Sequence, residues 1–513
     1  MIMKNNKSAF CAIAVSAMLG MGAIEANAQQ TRYEGTVTIH QKDGTKTSFN
    51  ESDLWRIENR EDYVYAVTKQ IQPQKYTDVD HVSFDWIAHE VGNISLNYKR
   101  DISADELKQA TRDMRTQLKD AQGAIYSLRS GNEGGLQALL YQLQNTLGPD
   151  CYVQYFCVPQ SDFSYSYYEL RSTYDLCKFF INNLSVGFST MTYKMAPTLN
   201  AEKIDYMPEI KAIYLTLFNY AAIENVDLFG PLTYYDNKGN FDGSSFEYDR
   251  VKDIYYQAKA DIDAAIECFK YYKDHRSEAY KKQIGRIIGV YATLLSSYDT
   301  DPSDLSVWIR FANSLKLRMA IHMSKVEPAT AKQWAEEAVA GGVIENEADE
   351  IGLPSKFGTA HPLVEIMGWN GIVMGASFIN LLQNLDHPYM KYLFTKNSIA
   401  LEKSKQAVSG TSAPAVTPKG SVYVGMRNGV TPGIGRAADA NPYCGYSTLD
   451  KTYFAECNPP LYLMKVSEVN FLRAEGALRG WNMGGTAKQF YEQGIRNASL
   501  EARSFMGNKY NQL

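Results

Sequence analysis

The spacing of apolar positions changes along the chain. Between Gly35 and Phe49 (GTVTIHQKDGTKTSF) apolar and polar residues alternate, with Val37 and Ile39 before Asp43-Gly44 and Thr47 and Phe49 after it. Alternation about an Asp-Gly pair predicts a β-hairpin with a two-residue turn. From Ser103 the period becomes helical. SADELKQATRDMRTQLKDAQGAIYSLRS is built of good helix formers, and Ser103 with Glu106 has the spacing of a capping box. Further helical patterns cover roughly 165–185, 207–224, 249–272, 275–297, 305–325, 329–341, 466–479 and 486–503. No strand–helix–strand alternation runs through the chain, which disfavours a doubly wound α/β sheet.

Two of the predicted helix pairs have equal length. Trp308–Gly341 turns at Glu327-Pro328, and Glu468–Glu501 turns around Trp481–Gly485; each spans 34 residues. That is the tetratricopeptide period, in which small residues let paired helices approach and each pair buries its face on the next. The match to the repeat consensus is weak, so coincidental hairpins are an equal alternative from spacing alone. Residues 405–450 differ from everything around them. They are rich in Gly and Pro, with Tyr423, Tyr443 and Tyr446 interleaved. A long irregular segment carrying that many aromatics is a candidate binding surface laid over a helical scaffold.

Residues 1–28 read as an export signal: Lys4 and Lys7, an uncharged run from Ala9 to Ile24, then Ala26-Asn27-Ala28 as a small-residue cleavage site. The mature chain is expected to begin at Gln29. Six cysteines follow: Cys151, Cys157, Cys177, Cys268, Cys444 and Cys457. That is too sparse for a disulfide scaffold. Cys151/Cys157 and Cys444/Cys457 are close enough to pair, with connectivity open. No CxxC occurs, which argues against a cysteine zinc site. The 513 residues carry 52 Lys+Arg against 57 Asp+Glu, a formal charge of −5. This balance argues against a general nucleic-acid binder, which needs a basic surface. The unusual count is 36 Tyr, with 21 Phe and 6 Trp.

No catalytic signature stands out. His89-Glu90 lacks the second histidine of a zinc-protease motif, and neither a G-x-S-x-G elbow nor a P-loop occurs. Gly433–Ala438 resembles a dinucleotide fingerprint but is not set between a strand and a helix. The acidic loop 345–350 (ENEADE) offers oxygen ligands for calcium without EF-hand spacing. Asp261/Asp263 and Glu345/Glu347 are carboxylate pairs whose separation in space sequence does not give. The chain therefore reads as a binding module, with no cofactor or metal called for. Flat rings next to Asn, Asp or Arg suit sugars. Trp369-Asn370, Tyr423 with Arg427 and Asn428, and Tyr443 with Tyr446 are the candidate contacts. Core packing is the plainer alternative for each ring.

Five segments in order resemble the SusD/RagB family of nutrient-binding outer-membrane proteins. They are EIKAIYLTLFNYAAIENVDLFGPLTYY from Glu209, WIRFANSLKLRMAIHMSKV from Trp308, Leu385–Pro388, Tyr423–Gly429 (family Y-x-G-x-x-N-G), and LYLMKVSEVNFLRAEGALRGWNMGGTAKQFYEQGIRNAS from Leu461. The resemblance covers about 160–505. It implies a mostly α fold of tetratricopeptide-like helical hairpins with a loop-rich ligand face, to which the alternation at 35–49 adds a small N-terminal β-hairpin appendage. It also implies non-catalytic capture of glycans, or in some members peptides, at the cell surface. Delivery would be to a SusC-like TonB-dependent transporter in the outer membrane. A glycoside hydrolase with a helical scaffold, and a scaffold with protein partners only, are the competing classes. The expected layout is a signal at 1–28, an extension at 29–100 and a SusD-like helical domain at 101–513. Three departures stand out. No lipidated cysteine follows Ala28, the hairpin region is unexpected in the family, and the chain stops at Leu513 short of the family's usual C-terminal segment.

Overall fold

The computed structural model describes residues 30–50, 54–59, 63–68, 74–91, 94–128, 131–132, 135–136, 138–146, 149–160, 188, 192–240, 246–291, 301–353, 362–369, 371–402, 416–430, 433–451 and 461–500. The expected export signal and the helical pattern at 165–185 lie outside them.

Where the sequence predicts one hairpin, six strands form. They are β1 (Gln30–Gln41), β2 (Lys46–Asn50), β3 (Leu54–Asn59), β4 (Tyr63–Thr68), β5 (Gln74–Thr77) and β6 (Val79–Val91), in two antiparallel sheets ordered β2-β1-β6 and β3-β4-β5. The hairpin forms, with a four-residue connection, Lys42 to Thr45, in place of the two-residue turn: Asp43 Oδ1 accepts from the Thr45 N–H at 2.8 Å, and Gly44 has φ 88°. The sheets share a small core of Ile39, Val64 and Ala66, packed by Phe49, Leu54, Ile57 and Val82. β4 hides from a pattern search because Tyr63 and Tyr65 alternate with Val64 and Ala66, so both of its faces are apolar.

The chain then runs through Ile94, Leu96, Tyr98 and Ile102, all buried in the main core. Arg276 fixes this crossing. Its guanidinium donates to the Tyr98 and Arg100 carbonyls at 2.8 and 2.9 Å and pairs with buried Glu209 at 3.0 Å. Tyr280 OH donates to the other Glu209 oxygen at 2.7 Å.

The helical body follows: α1 (Ala104–Leu128), α2 (Pro208–Phe229), α3 (Val251–His275), α4 (Glu278–Tyr291), α5 (Ser306–Met323), α6 (Pro328–Ala340), α7 (Pro362–Gly368), α8 (Ala376–Asn384), α9 (Val466–Leu478) and α10 (Ala487–Leu500). The capping box is formed: Ser103 N–H donates to Glu106 Oε2 at 2.8 Å and Glu106 N–H to Ser103 Oγ at 3.2 Å. α2 is buried on nearly every side. Pro208 opens it and Gly230, at φ 82°, closes it. α2 packs on α3, α3 on α5, and α5 on both α6 and α9, while α9 pairs with α10. Both equal-length spans are therefore helical hairpins, joined through Arg318, whose guanidinium grips Glu468 at 2.6 and 3.0 Å. Two of the family-like segments thus meet through one ion pair. The fold is mostly α with tetratricopeptide-like pairs and N-terminal strands. Among the described residues no helix is long and apolar enough to cross a membrane.

Candidate functional site

Three distant segments weave the loop-rich face. Phe156–Cys157 (β7) pairs antiparallel with Val373–Met374 (β8). Met426 N–H donates to the Met374 carbonyl at 2.8 Å, Ala376 N–H to Met426 O at 2.7 Å, and Gly375 N–H to Tyr155 O at 2.9 Å. Two glycines make the crossing possible. A Cβ on Gly375 would stand 2.2 Å from the Gln154 carbonyl oxygen, and one on Gly425 would stand 2.6 Å from the Ala376 backbone. Asn441 ties down the far side, donating to the Pro159 and Gly435 carbonyls at 2.8 and 3.0 Å. The Tyr-rich part of 405–450 that is described, 416–430 and 433–450, is thereby held as ordered irregular backbone.

The candidate residues fall in two groups. Val373 and Met374 are consecutive in a strand and face opposite ways. Trp369 and Tyr423, both half-buried, pack on the cluster that contains Met374. Tyr443 and Tyr446, also half-buried, pack on the cluster of Cys157, Val373 and Met426. Their rings meet edge to face at 5.5 Å. The Lys396 ammonium lies 5.7 Å from the Tyr423 ring centroid. Arg427 is exposed. Asn428 donates to the Cys151 and Phe156 carbonyls at 3.2 and 3.3 Å, so its amide positions the 151–156 loop. Asn370 lies outside the described residues.

Among the described residues, the most exposed aromatic pair on this face is one that sequence reading passes over. Tyr152 and Tyr155 are each 48% exposed. They flank a tight turn in which Gln154 adopts φ 63° and its N–H donates to the Cys151 carbonyl at 3.1 Å. Ser377 Oγ donates to Gln154 Oε1 at 2.8 Å, and the Tyr155 ring lies 4.7 Å from that of Phe378. The Tyr155 N–H donates to the Asp150 carbonyl at 2.9 Å; Asp150 is half-buried, and burial raises its carboxyl pKa to about 6. The only signal in the sequence is an acid followed by two tyrosines three apart. Nothing there marks the turn, because a glutamine and not a glycine takes the left-handed position.

Other candidate chemistry is occupied elsewhere. In the acidic loop Glu345 pairs with Arg473 at 2.8 Å, Asp349 with Arg310 at 2.7 Å, and Glu350 accepts from the Val466 N–H at 2.8 Å. Among the described residues no group of three or more His, Cys, Asp or Glu is placed to hold a metal. Cys157, Cys268 and Cys444 are buried free thiols, so the Cys151/Cys157 pairing left open by sequence is not made. Burial pushes the Cys157 thiol up to about 12. Cys177 and Cys457 lie outside the described residues. A separate cavity of about 790 Å³ lies among the ends of α2, α3 and α5. Its polar groups satisfy one another, His322 with Asp227 at 2.7 Å and both Lys252 and Tyr256 with Glu327 at 2.5 Å. Its walls carry Val226, Val251, Met323 and Val326 alongside Tyr255 and Tyr256.

A sequence profile of the SusD-like family, described as SusD and RagB outer membrane lipoproteins, matches residues 97–510. Solved structures agree. A chitin-binding SusD homologue from Flavobacterium johnsoniae is 25% identical, with 77% of this chain and 72% of that one covered and a TM-score of 0.54. A SusD homologue from Bacteroides vulgatus is 24% identical, with 78% and 74% covered and a TM-score of 0.56. One from Bacteroides ovatus is 23% identical, with 78% and 72% covered and a TM-score of 0.54. A search of curated proteins found no significant match. The profile takes in the helical pairs, the Arg318–Glu468 junction and the woven loop face together, and the chain belongs to the SusD-like family of SusD and RagB outer membrane lipoproteins.

Proposed function

We propose that the chain binds glycan on its loop face at the surface of the outer membrane. It leaves the glycan chemically unchanged and passes it to a SusC-like TonB-dependent transporter. The observation that carries this reading is the pair of half-exposed rings, Tyr152 and Tyr155, on a loop whose backbone is held by Asn428, by Gly375 and by its own turn. Sugar C–H faces pack on flat rings, while carboxylate and guanidinium groups hydrogen-bond to the hydroxyl rim. In this account Tyr152 and Tyr155 form the platform, and Asp150 and Arg427 are the polar rim. Trp369, Tyr423, Tyr443 and Tyr446 are the second rank of rings. No cofactor takes part.

Family membership supports placement at the outer membrane. The chitin-binding description of the Flavobacterium johnsoniae relative makes N-acetylated glycans the first class to try. A prearranged platform loses little freedom on binding, which suits capture followed by release. Apolar side chains exposed on the last helical pair, among them Leu478 at 80% and Ile495 at 49%, suit a protein partner such as the transporter.

Affinity gel electrophoresis of the mature chain against soluble polysaccharides tests the reading. Retardation by at least one glycan, lost on Tyr155→Ala, supports it. Retardation by none, with binding to peptides instead, replaces glycan by peptide as the ligand.

A further inference from the structure

Inside the helical body, remote from the loop face, lies a buried cluster that glycan binding does not use. Asn219 on α2, Tyr234, Lys238 and Asp261 on α3 are all almost wholly shielded from solvent. Lys238 stands in the turn Asp236–Asn240, where Gly239 at φ 105° lets the chain reverse, and its ammonium is directed at Asp261 Oδ2. The same Asp261 oxygen accepts from Asn219 Nδ2 at 2.9 Å. Tyr234 OH lies 2.6 Å from Asn219 Oδ1, 3.1 Å from Asp261 Oδ2 and 3.3 Å from Lys238 Nζ. An amine and a primary carboxamide therefore share one carboxylate and one phenol inside the buried core. Burial also holds the Lys238 amine below its ordinary pKa, toward the neutral, nucleophilic form.

We propose that this cluster is a modification site at which Lys238 and Asn219 join in an intramolecular isopeptide bond. The roles follow from the geometry. Neutral Lys238 Nζ attacks Asn219 Cγ, and Tyr234 OH steadies the negative charge that develops on Asn219 Oδ1. Asp261 takes the proton from Nζ and delivers it to Asn219 Nδ2, which leaves as ammonia. A C–N bond to Nζ forms, the C–N bond to Nδ2 breaks, and Asp261 ends in the state in which it began. No oxidant or external reactant enters. The product ties α2 covalently to the turn that precedes α3.

Intact-mass measurement of the purified, folded mature chain tests this without a substitution. The expected mass is about 17 Da, one ammonia, below that of the sequence. Cleavage after Glu224 separates Asn219 from Lys238 in sequence, so the two fragments are expected to remain joined after digestion under denaturing, reducing conditions. Lys238→Arg should restore the full sequence mass. A wild-type chain at full sequence mass with separate fragments overturns the proposal and leaves the cluster a permanent buried ion pair. A loss of about 18 Da with the link on Asp261 also overturns it, since the acceptor would then be the carboxyl, with water leaving.

Discussion

Asn428 reaches across the loop face to Phe156: its side-chain amide donates to that carbonyl at 3.3 Å and to the Cys151 carbonyl at 3.2 Å. One residue of the Gly-rich run thus sets the position of the loop that carries Tyr152 and Tyr155. Asn428→Ala removes both bonds. A half-buried hydrogen bond contributes about 1 kcal/mol, so a small drop in Tm is expected, with glycan affinity falling about tenfold. Calorimetry and titration of the same variant check this. Unchanged affinity would mean that the loop holds its shape without the tie.

The two exposed tyrosines should matter more for binding than for folding. Each aromatic contact contributes about 0.5–1.5 kcal/mol beyond its burial, so Tyr152→Ala with Tyr155→Ala should weaken binding by tenfold or more. Tm should change little, because both rings are half in solvent already. Tyr446→Ala should show the reverse emphasis, since its ring packs on Cys157, Val373 and Met426.

Asp150 gives the protein a pH signature. Burial raises its carboxyl from 3.8 to about 6. Between those values the folded chain holds a proton that the unfolded chain has lost, so this group's contribution to stability falls as pH rises through that window. Ionisation above about 6 turns a hydrogen-bond donor into a pure acceptor at the rim of the platform. Glycan affinity should therefore change across pH 5–7, with the midpoint about 6, and Asp150→Asn should flatten that dependence. Titrations at several pH values decide it.

Arg276 secures the crossing from the N-terminal sheets into the helical body. Arg276→Met would leave Glu209 buried with Tyr280 as its remaining side-chain donor. Breaking one side of a buried pair costs about 3–5 kcal/mol. Chemical denaturation should show a loss of that size, and limited proteolysis should cut more readily near residues 94–102.

Much of the helical architecture was legible because its signals are local. The Ser103/Glu106 capping box forms as spaced, the helix expected at 207–224 forms and runs on to Phe229, and the turn at Glu327-Pro328 divides α5 from α6. The second sheet was not legible. β4 carries tyrosines on one face and aliphatics on the other, which blurs a period of two. The candidate site was half legible. Aromatic residues beside Asn and Arg pointed to the woven loops, but adjacency in sequence cannot separate a ring resting on Met374, as Tyr423 does, from one facing solvent. Nor can it show that Asn428 bonds to backbone, or that Gln154 adopts a left-handed turn exposing Tyr152 and Tyr155.

The measurement that bears most directly on the central claim is isothermal titration of soluble glycans, chitin oligosaccharides first, into three proteins. These are the mature chain, its Tyr152→Ala/Tyr155→Ala double variant, and a Tyr491→Ala control on the exposed face of α10. The account predicts saturable binding of at least one glycan, lost in the double variant and kept in the control. Equal binding by all three would contradict a loop-face site.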